Sequence, residues 1–283
     1  MEEKKKLIVV PWDFTHVAEN ALAHAVKISR MVGNDISLLH IVDTGIKAAE
    51  EADKKKKLQK TIEENSAKYN AVITWHISKG SIFSAIAEFA NDKEASLVVM
   101  GTHGMKGMQK LTGSWALKVI VKSKVPFIVV QDPPVDQEKY HNIVFPIDFR
   151  AENKEKLKMA IFMGKYFDSK IHLLVATTTD KMLAKKTKIN LNFGVKYLIQ
   201  NNIEYEIHEV AKGDFAQQTL DFALKINADL IVIVTTKNIT FADYVVGASE
   251  QYMIANSSKI PVCCVNPMTS FANVGQFMGG WGS

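Results

Sequence analysis

The strongest constraint on this chain is that its pattern is written twice. Leu7-Ile-Val-Val-Pro-Trp-Asp-Phe14 returns 135 residues later as Asn142-Ile-Val-Phe-Pro-Ile-Asp-Phe149, an apolar run closing on Pro-x-Asp-Phe both times. Ser37-Leu-Leu-His40 returns as His172-Leu-Leu-Val175, Ser78-Lys-Gly80 as Ala211-Lys-Gly213, and Ala95-Ser-Leu-Val-Val-Met100 as Ala228-Asp-Leu-Ile-Val-Ile233. The matches keep their order, and Asp13 is as far from Pro126 as Asp148 is from Pro261. A period this long is the size of a whole domain rather than of a solenoid unit. The expected organisation is therefore residues 1–132, a linker around Gln131-Asp-Pro-Pro-Val-Asp-Gln-Glu138, residues 139–267, and a tail over 268–283.

Within each copy, short β-branched runs alternate with helical patterns, which is the signature of βαβ units around a parallel sheet. Five strands are expected in the first copy, at 7–11, 36–42, 72–78, 97–101 and 126–130. The second repeats them at 143–146, 171–176, 205–210, 230–234 and 261–265. Near-continuous apolar character along these runs implies helices on both faces. The fold class is α/β, with two tandem doubly wound domains.

Composition narrows the function. Hydrophobic residues make up 47% of the 283 and charged residues 23%, as in an average soluble globular protein. No apolar run reaches the length of a membrane span, and the start Met1-Glu-Glu-Lys-Lys-Lys6 lacks a signal-peptide pattern, so a cytoplasmic location is expected. The net charge of +5 rests on lysine, with Arg30 and Arg150 the sole arginines. Arginine supplies the fork that reads base edges, so nucleic acid is not an expected partner. The run Lys54–Lys57 lies between Glu50, Glu51, Asp53 and Glu63, Glu64, and reads as a solvated helix face with local pairing. Cys263 and Cys264 are neighbours on an expected strand, so they point to opposite faces and read as buried structural residues.

In a doubly wound sheet the ligand crevice lies beyond the carboxyl ends of the strands where the order reverses. Two segments there are equipped for chemistry: Pro11-Trp-Asp13-Phe-Thr15, and Met100-Gly101-Thr-His-Gly104 continuing to Thr112-Gly113-Ser114. Glycines admit an anion close to backbone N–H groups, and Gly113-Ser114 opens an expected helix whose free donors favour negative charge. The spacing is neither G-x-x-x-x-G-K-[ST] nor G-x-G-x-x-G.

These residues resemble the universal stress proteins in tandem form. The resemblance rests on Pro11-x-Asp13-Phe14, Leu38-Leu39-His40-Ile41, Met100-Gly101-Thr-His-Gly104 and Gly113-Ser114. It implies a five-stranded parallel sheet ordered 3-2-1-4-5 in each half and an adenine nucleotide, ATP or ADP with magnesium, in the first. It places adenine at the backbone of Ile41, ribose and phosphates by Asp13, and the triphosphate within Gly101, Gly104, Gly113 and Ser114, with Pro11 and Met100 beside them. Two departures stand out. Eight residues rather than the family's nine separate Gly104 from Gly113, and Trp115 follows Ser114 where a small aliphatic residue is usual. In the second half Val234-Thr-Thr-Lys237 and Ala248-Ser249 replace the anion loop, although Asp148 remains.

Competing readings are plain. Asp13 and Asp148 can serve as helix caps, the stronger reading for Asp148. His103 has no partner in sequence, and Met100, Met105 and Met108 have no cysteine beside them, so neither a catalytic nor a metal site is expected. No catalytic group can be assembled from neighbouring motifs. The preferred function is a stress-response protein that binds nucleotide in its first domain, the second being structural or holding a protein partner. The alternatives are a slow ATPase or phosphotransfer enzyme using Asp13 and magnesium, and a scaffold with no nucleotide. The apolar fifth strands are expected to cover each other as an intramolecular pseudo-dimer, with a homodimer as a further option. The tail is expected to be disordered, or else docked through Phe271, Phe277 and Trp281.

Overall fold

The computed structural model describes residues 6–102, 113–135, 138–150, 156–235 and 248–266. The first half runs β1 (Leu7–Pro11), α1 (His16–Val32), β2 (Asp35–Val42), α2 (Ala48–Tyr69), β3 (Ile73–Lys79), α3 (Ile82–Asp92), β4 (Leu97–Gly101), α4 (Gly113–Ile120) and β5 (Phe127–Val130). The second runs β6 (Asn142–Ile147), α5 (Leu157–Phe167), β7 (Lys170–Ala176), α6 (Lys181–Gln200), β8 (Tyr205–Val210), α7 (Phe215–Lys225), β9 (Leu230–Val234), α8 (Ala248–Ile254) and β10 (Val262–Val265). Strand bounds depart from the sequence reading by a residue or so at the ends, where fraying and turn geometry decide.

Each half has the strand order 3-2-1-4-5, and all pairings within a half are parallel. The two sheets are continuous. β5 and β10 pair antiparallel, Val129 opposite Val262 and Phe127 opposite Cys264, giving one ten-stranded sheet. The fifth strands cover each other's edges, as their apolar sequences required.

Alternation along the strands builds two cores. Ile8 and Val10 join α1, α2, α5 and α6 on one face, while Val9 joins α3, α4, α7 and α8 on the other. Cys263 faces the first core and Cys264 the second; both are free thiols, and burial pushes Cys263 up to about 12. Local signals set the helix ends. Gly33 adopts φ 72° to close α1, and Asp180 and Asp214 cap α6 and α7 by accepting two backbone N–H bonds each. The lysine run lies on α2, where Lys55 pairs with Glu51 at 2.8 Å and Lys57 with Asp53 at 3.2 Å, four residues apart. No helix of the described residues is long and apolar enough to cross a membrane.

The segment between the halves is fastened to both. Asn20 donates to Gln131 O at 2.8 Å, Gln131 donates to Asn256 O at 2.8 Å, and Lys259 pairs with Asp132 at 2.9 Å. Buried His24 sits at the centre, with Nε2 at 3.2 Å from Asp132 O and Nδ1 at 2.7 Å from the Tyr140 hydroxyl. A carbonyl can only accept, so Nε2 carries a proton, and in the neutral ring Nδ1 accepts from the Tyr140 hydroxyl. Lys27 lies over the Tyr140 ring, 3.8 Å from its centroid. Burial, aided by the nearby Lys27 charge, holds His24 down to about 4 despite the Asp132 bond. The tail expectation falls on residues outside those described.

The unfolded chain binds a proton at His24 below its ordinary value of 6.5, whereas the folded chain resists until about 4. Stability is therefore constant with respect to this group above pH 6.5 and is lost as pH falls toward 4, by roughly 3 kcal/mol in all. Denaturant unfolding across pH 4–7.5 should show this loss, and His24→Gln should flatten the slope whatever it does to stability at neutral pH.

Candidate functional site

β1 lies between β2 and β4, so the point where strand order reverses in the first half falls between β1 and β4. Five of the residues singled out in sequence, Pro11, Asp13, Ile41, Met100 and Gly101, line one small cavity of about 70 Å³ at that point. It shares His40, Ile41 and Ile82 with a cleft of about 530 Å³ reaching between Asp43, Lys54 and Ser81. That volume lies within the range of small-molecule sites. Gly113, Ser114 and Trp115 open α4. Gly104 and His103 lie outside the described residues.

The backbone here is unusual. Phe14, a bulky residue, holds φ at 64°, a conformation that costs on the order of 1 kcal/mol or more and persists only where surroundings enforce it. The enforcement is visible. Asp13 Oδ1 accepts from the Thr15 backbone N–H at 3.0 Å and from the Thr15 hydroxyl, and the Phe14 ring packs edge-on against His40 at 5.0 Å. His40 Nδ1 donates to Trp12 O at 2.7 Å, tying β2 to this turn and leaving Nε2 as the nitrogen able to accept. Burial, the larger effect, holds His40 below its ordinary value. Asp13 thus shapes the turn before α1 rather than capping it, since Thr15 is the N-cap residue and makes no side-chain cap.

Three residues of the site were not singled out for it in sequence. Trp12 is 4% exposed, and its Nε1 is a buried donor with no hydrogen-bond partner among the described residues. An orphaned buried donor costs about 1–3 kcal/mol, so its retention beside a cavity is a functional signal. His40 and Lys54 line the cleft, with Lys54 Nζ 5.9 Å from the Phe14 ring. Lys54 belongs to a run that sequence assigned to solvent; only the fold turns this one lysine of the run toward the β2–β3 end.

Gly101 has a packing reason to be glycine. A Cβ there would lie 2.2 Å from Val17 O, because α1 crosses β4 in contact. Its role as a phosphate approach point therefore adds to a structural need that already fixes it.

The equivalent crevice of the second half is a pocket of about 280 Å³ with charge on its wall. Asp148 accepts from Arg150 N at 2.9 Å and pairs with Arg150 Nε at 2.7 Å, and Arg150 Nη1 pairs with Glu250 Oε1 at 2.9 Å. Among the described residues Asp148 thus holds an arginine, by its guanidinium and its backbone N–H; the capping expectation for Asp148 falls on residues 151–155, outside those described. Lys156 is fully buried, donates to Pro146 O, and sits 4.4 Å from the Phe145 ring centroid. Burial pushes it down to about 7. Glu250 follows Ala248-Ser249 as Trp115 follows Gly113-Ser114, so the second half carries a carboxylate at the start of the helix where the first half has the Gly-Ser pair followed by an indole.

The doubly wound fold with a cleft at its switch point places the chain in the class of open-sheet α/β proteins. The comparisons narrow it. The Universal stress protein family model matches residues 5–131. Universal stress protein MJ0531 of Methanocaldococcus jannaschii is 31% identical over 149 residues, 47% of this chain and 85% of its own. Universal stress protein MJ0577 of the same organism is 27% identical over 157 residues, 44% of this chain and 94% of its own. A universal stress protein structure from Archaeoglobus fulgidus superposes with a TM-score of 0.74 at 16% identity, covering 92% of this chain and 98% of that one. A putative universal stress protein from Pseudomonas aeruginosa gives 0.60 at 12% identity over 97% of both, a likeness of fold. The chain belongs to the universal stress protein family.

Gly101→Ala should force α1 away from β4 and destabilise the protein by about 2–4 kcal/mol, because the clash is with backbone that cannot rotate aside. Urea denaturation of the variant checks it; a change under about 0.5 kcal/mol would mean that the close approach is soft.

Proposed function

We propose that residues 1–132 form an adenine-nucleotide-binding domain and that residues 139–267 form a second domain without nucleotide, which is structural or engages a protein partner. The observation that carries this reading is the contrast between two equivalent switch-point crevices. In the first, apolar Ile41 and Ile82, the Nε2 of His40, and the Lys54 ammonium surround open space. In the second, a pocket of about 280 Å³, the wall carries Asp148 and Glu250, and Arg150 pairs with both carboxylates.

In this reading adenine stacks against Ile41, with the buried Trp12 N–H available to an acceptor on the ligand. The sugar and phosphates run past Pro11, Asp13, Met100 and Gly101 toward Gly104, Gly113, Ser114 and Trp115 at the start of α4. Backbone donors and the dipole of that helix favour the anion. Asp13 is exposed and offers its second carboxylate oxygen to a magnesium ion that keeps its waters and bridges phosphate. ATP and ADP are the ligands of choice, and the setting is the cytoplasm.

Calorimetric titration of the full chain with ATP and with ADP should give one site. Gly113→Val should abolish it by blocking approach to the helix start, and Lys54→Gln should weaken it several-fold. Two equal sites, or unchanged binding in Gly113→Val, would overturn the assignment. No binding at millimolar nucleotide would leave a scaffold. Sustained phosphate release above a protein-free control would make the protein a slow ATPase acting through Asp13 and magnesium.

A further inference from the structure

The second half carries side chains with no counterpart in the first, away from the switch point, on the β7–β8 margin of the sheet. His172 of β7 lies opposite Glu206 of β8, and Leu174 lies opposite His208. Residues two apart on a strand share a face, so His172, Glu206 and His208 project from the same side. That side is the one covered by α7, whose Phe222 ring packs on His208 at 4.6 Å.

The donor atoms converge. His172 Nδ1 is 3.1 Å from His208 Nε2, and each is 3.8 Å from Glu206 Oε2. A triangle of these sides has a centre about 2.1 Å from all three corners, the length of a zinc–imidazole or zinc–carboxylate bond. The side chains range from 7% exposed at His172 through 25% at His208 to 49% at Glu206, leaving an entry path from solvent.

The outer shell is also in place. His172 Nε2 is 3.1 Å from Asn142 Oδ1, and a carbonyl oxygen there fixes the proton on Nε2 and leaves the Nδ1 lone pair facing the cluster. A metal-bound imidazole needs this arrangement. Lys170 holds Glu206 Oε2 at 3.0 Å but also reaches Glu204 at 3.5 Å, so it keeps a carboxylate partner when Glu206 turns to a cation.

The first half supplies an internal control. Strand register puts Ser37 opposite Thr74 and Leu39 opposite His76. The places of His172, Glu206 and His208 are thus held by Ser37, Thr74 and His76, with His76 stacked on Phe89 at 4.7 Å as His208 packs on Phe222. The histidine–phenylalanine pair is therefore common to both copies and structural. The second histidine and the glutamate are present in one copy alone.

We propose that His172 Nδ1, His208 Nε2 and Glu206 Oε2 form a binding site for a borderline divalent ion of the zinc type, with water completing its coordination. Two imidazoles and one carboxylate select zinc, copper or nickel over magnesium and calcium, which prefer oxygen. Entry of the ion replaces the hydrogen bond between the rings, and the proton on His208 Nε2 moves to its Nδ1. The nearby Lys170 charge opposes the ion, so the site is of moderate affinity and suited to a metal that comes and goes.

The test uses the full chain without an affinity tag. Titration with Zn²⁺ against a chromophoric chelator at pH 7.5 should give one ion per chain, with His172→Ser and His208→Gln each weakening it at least about tenfold. The double variant H172S/E206T reproduces the first-half set at a place where that set already folds, so it should stay folded by circular dichroism and lose the ion. With Cu²⁺, electron paramagnetic resonance should show two imidazole nitrogens in the chain and at most one in H172S/E206T. Unchanged Zn²⁺ affinity in the folded double variant would overturn the proposal, as would the absence of binding at 100-fold excess of about micromolar ion.

Discussion

Val262–Cys264 of β10 run antiparallel to Phe127–Val129 of β5, and this short seam is what lets two parallel sheets exist without a bare apolar edge between them. A fifth strand buried on both faces cannot be left unpaired without inviting association with another chain. Pairing the two fifth strands removes both liabilities at once. It also makes the cores continuous, since residues of both halves pack together on each side of the sheet. The polar fastening of Asp132, Lys139 and Tyr140 to His24 and Lys27 follows from the same geometry, because a connector crossing such a seam must have its backbone groups satisfied.

The two halves carry different residues at equivalent places. The scaffold requires Gly101, because α1 leaves no space for a Cβ, and it requires the apolar strands. It does not require the same wall at both switch points. In the second half the crevice, about 280 Å³, is walled by Asp148, Arg150, Glu250 and buried Lys156, and Arg150 pairs with both carboxylates. Replacing a ligand's charges with the protein's own keeps a polar crevice soluble in the core, and removing one member would leave its neighbours costly.

Much of the fold was legible in the sequence, and particular elements show why. A strand buried on both faces declares itself as a continuous apolar run, so β1, β4 and β9 were bounded as observed. The repeat fixed the number of units, and adjacent Cys263 and Cys264 had to face opposite cores because the period of a strand is two. The site was legible in part, since Pro11, Asp13, Ile41, Met100 and Gly101 were named from motif and do converge. Asp148 accepts from the Arg150 backbone and pairs with its guanidinium, and the further step from Arg150 to Glu250, a hundred residues away, has no sign in the sequence.

The sequence by itself determined the period, the strand pattern and the residues that the switch point can present, because these follow from local periodicity and turn chemistry. Tertiary structure alone decided what meets. Lys54 turns from a solvated run into the wall of a cleft, Trp12 becomes a buried donor, and His172, separated by 34 residues from Glu206, comes to share its face. The physical reason is that parallel pairing joins strands through a crossover helix, so the residues that become neighbours are set by register across the sheet and not by distance along the chain.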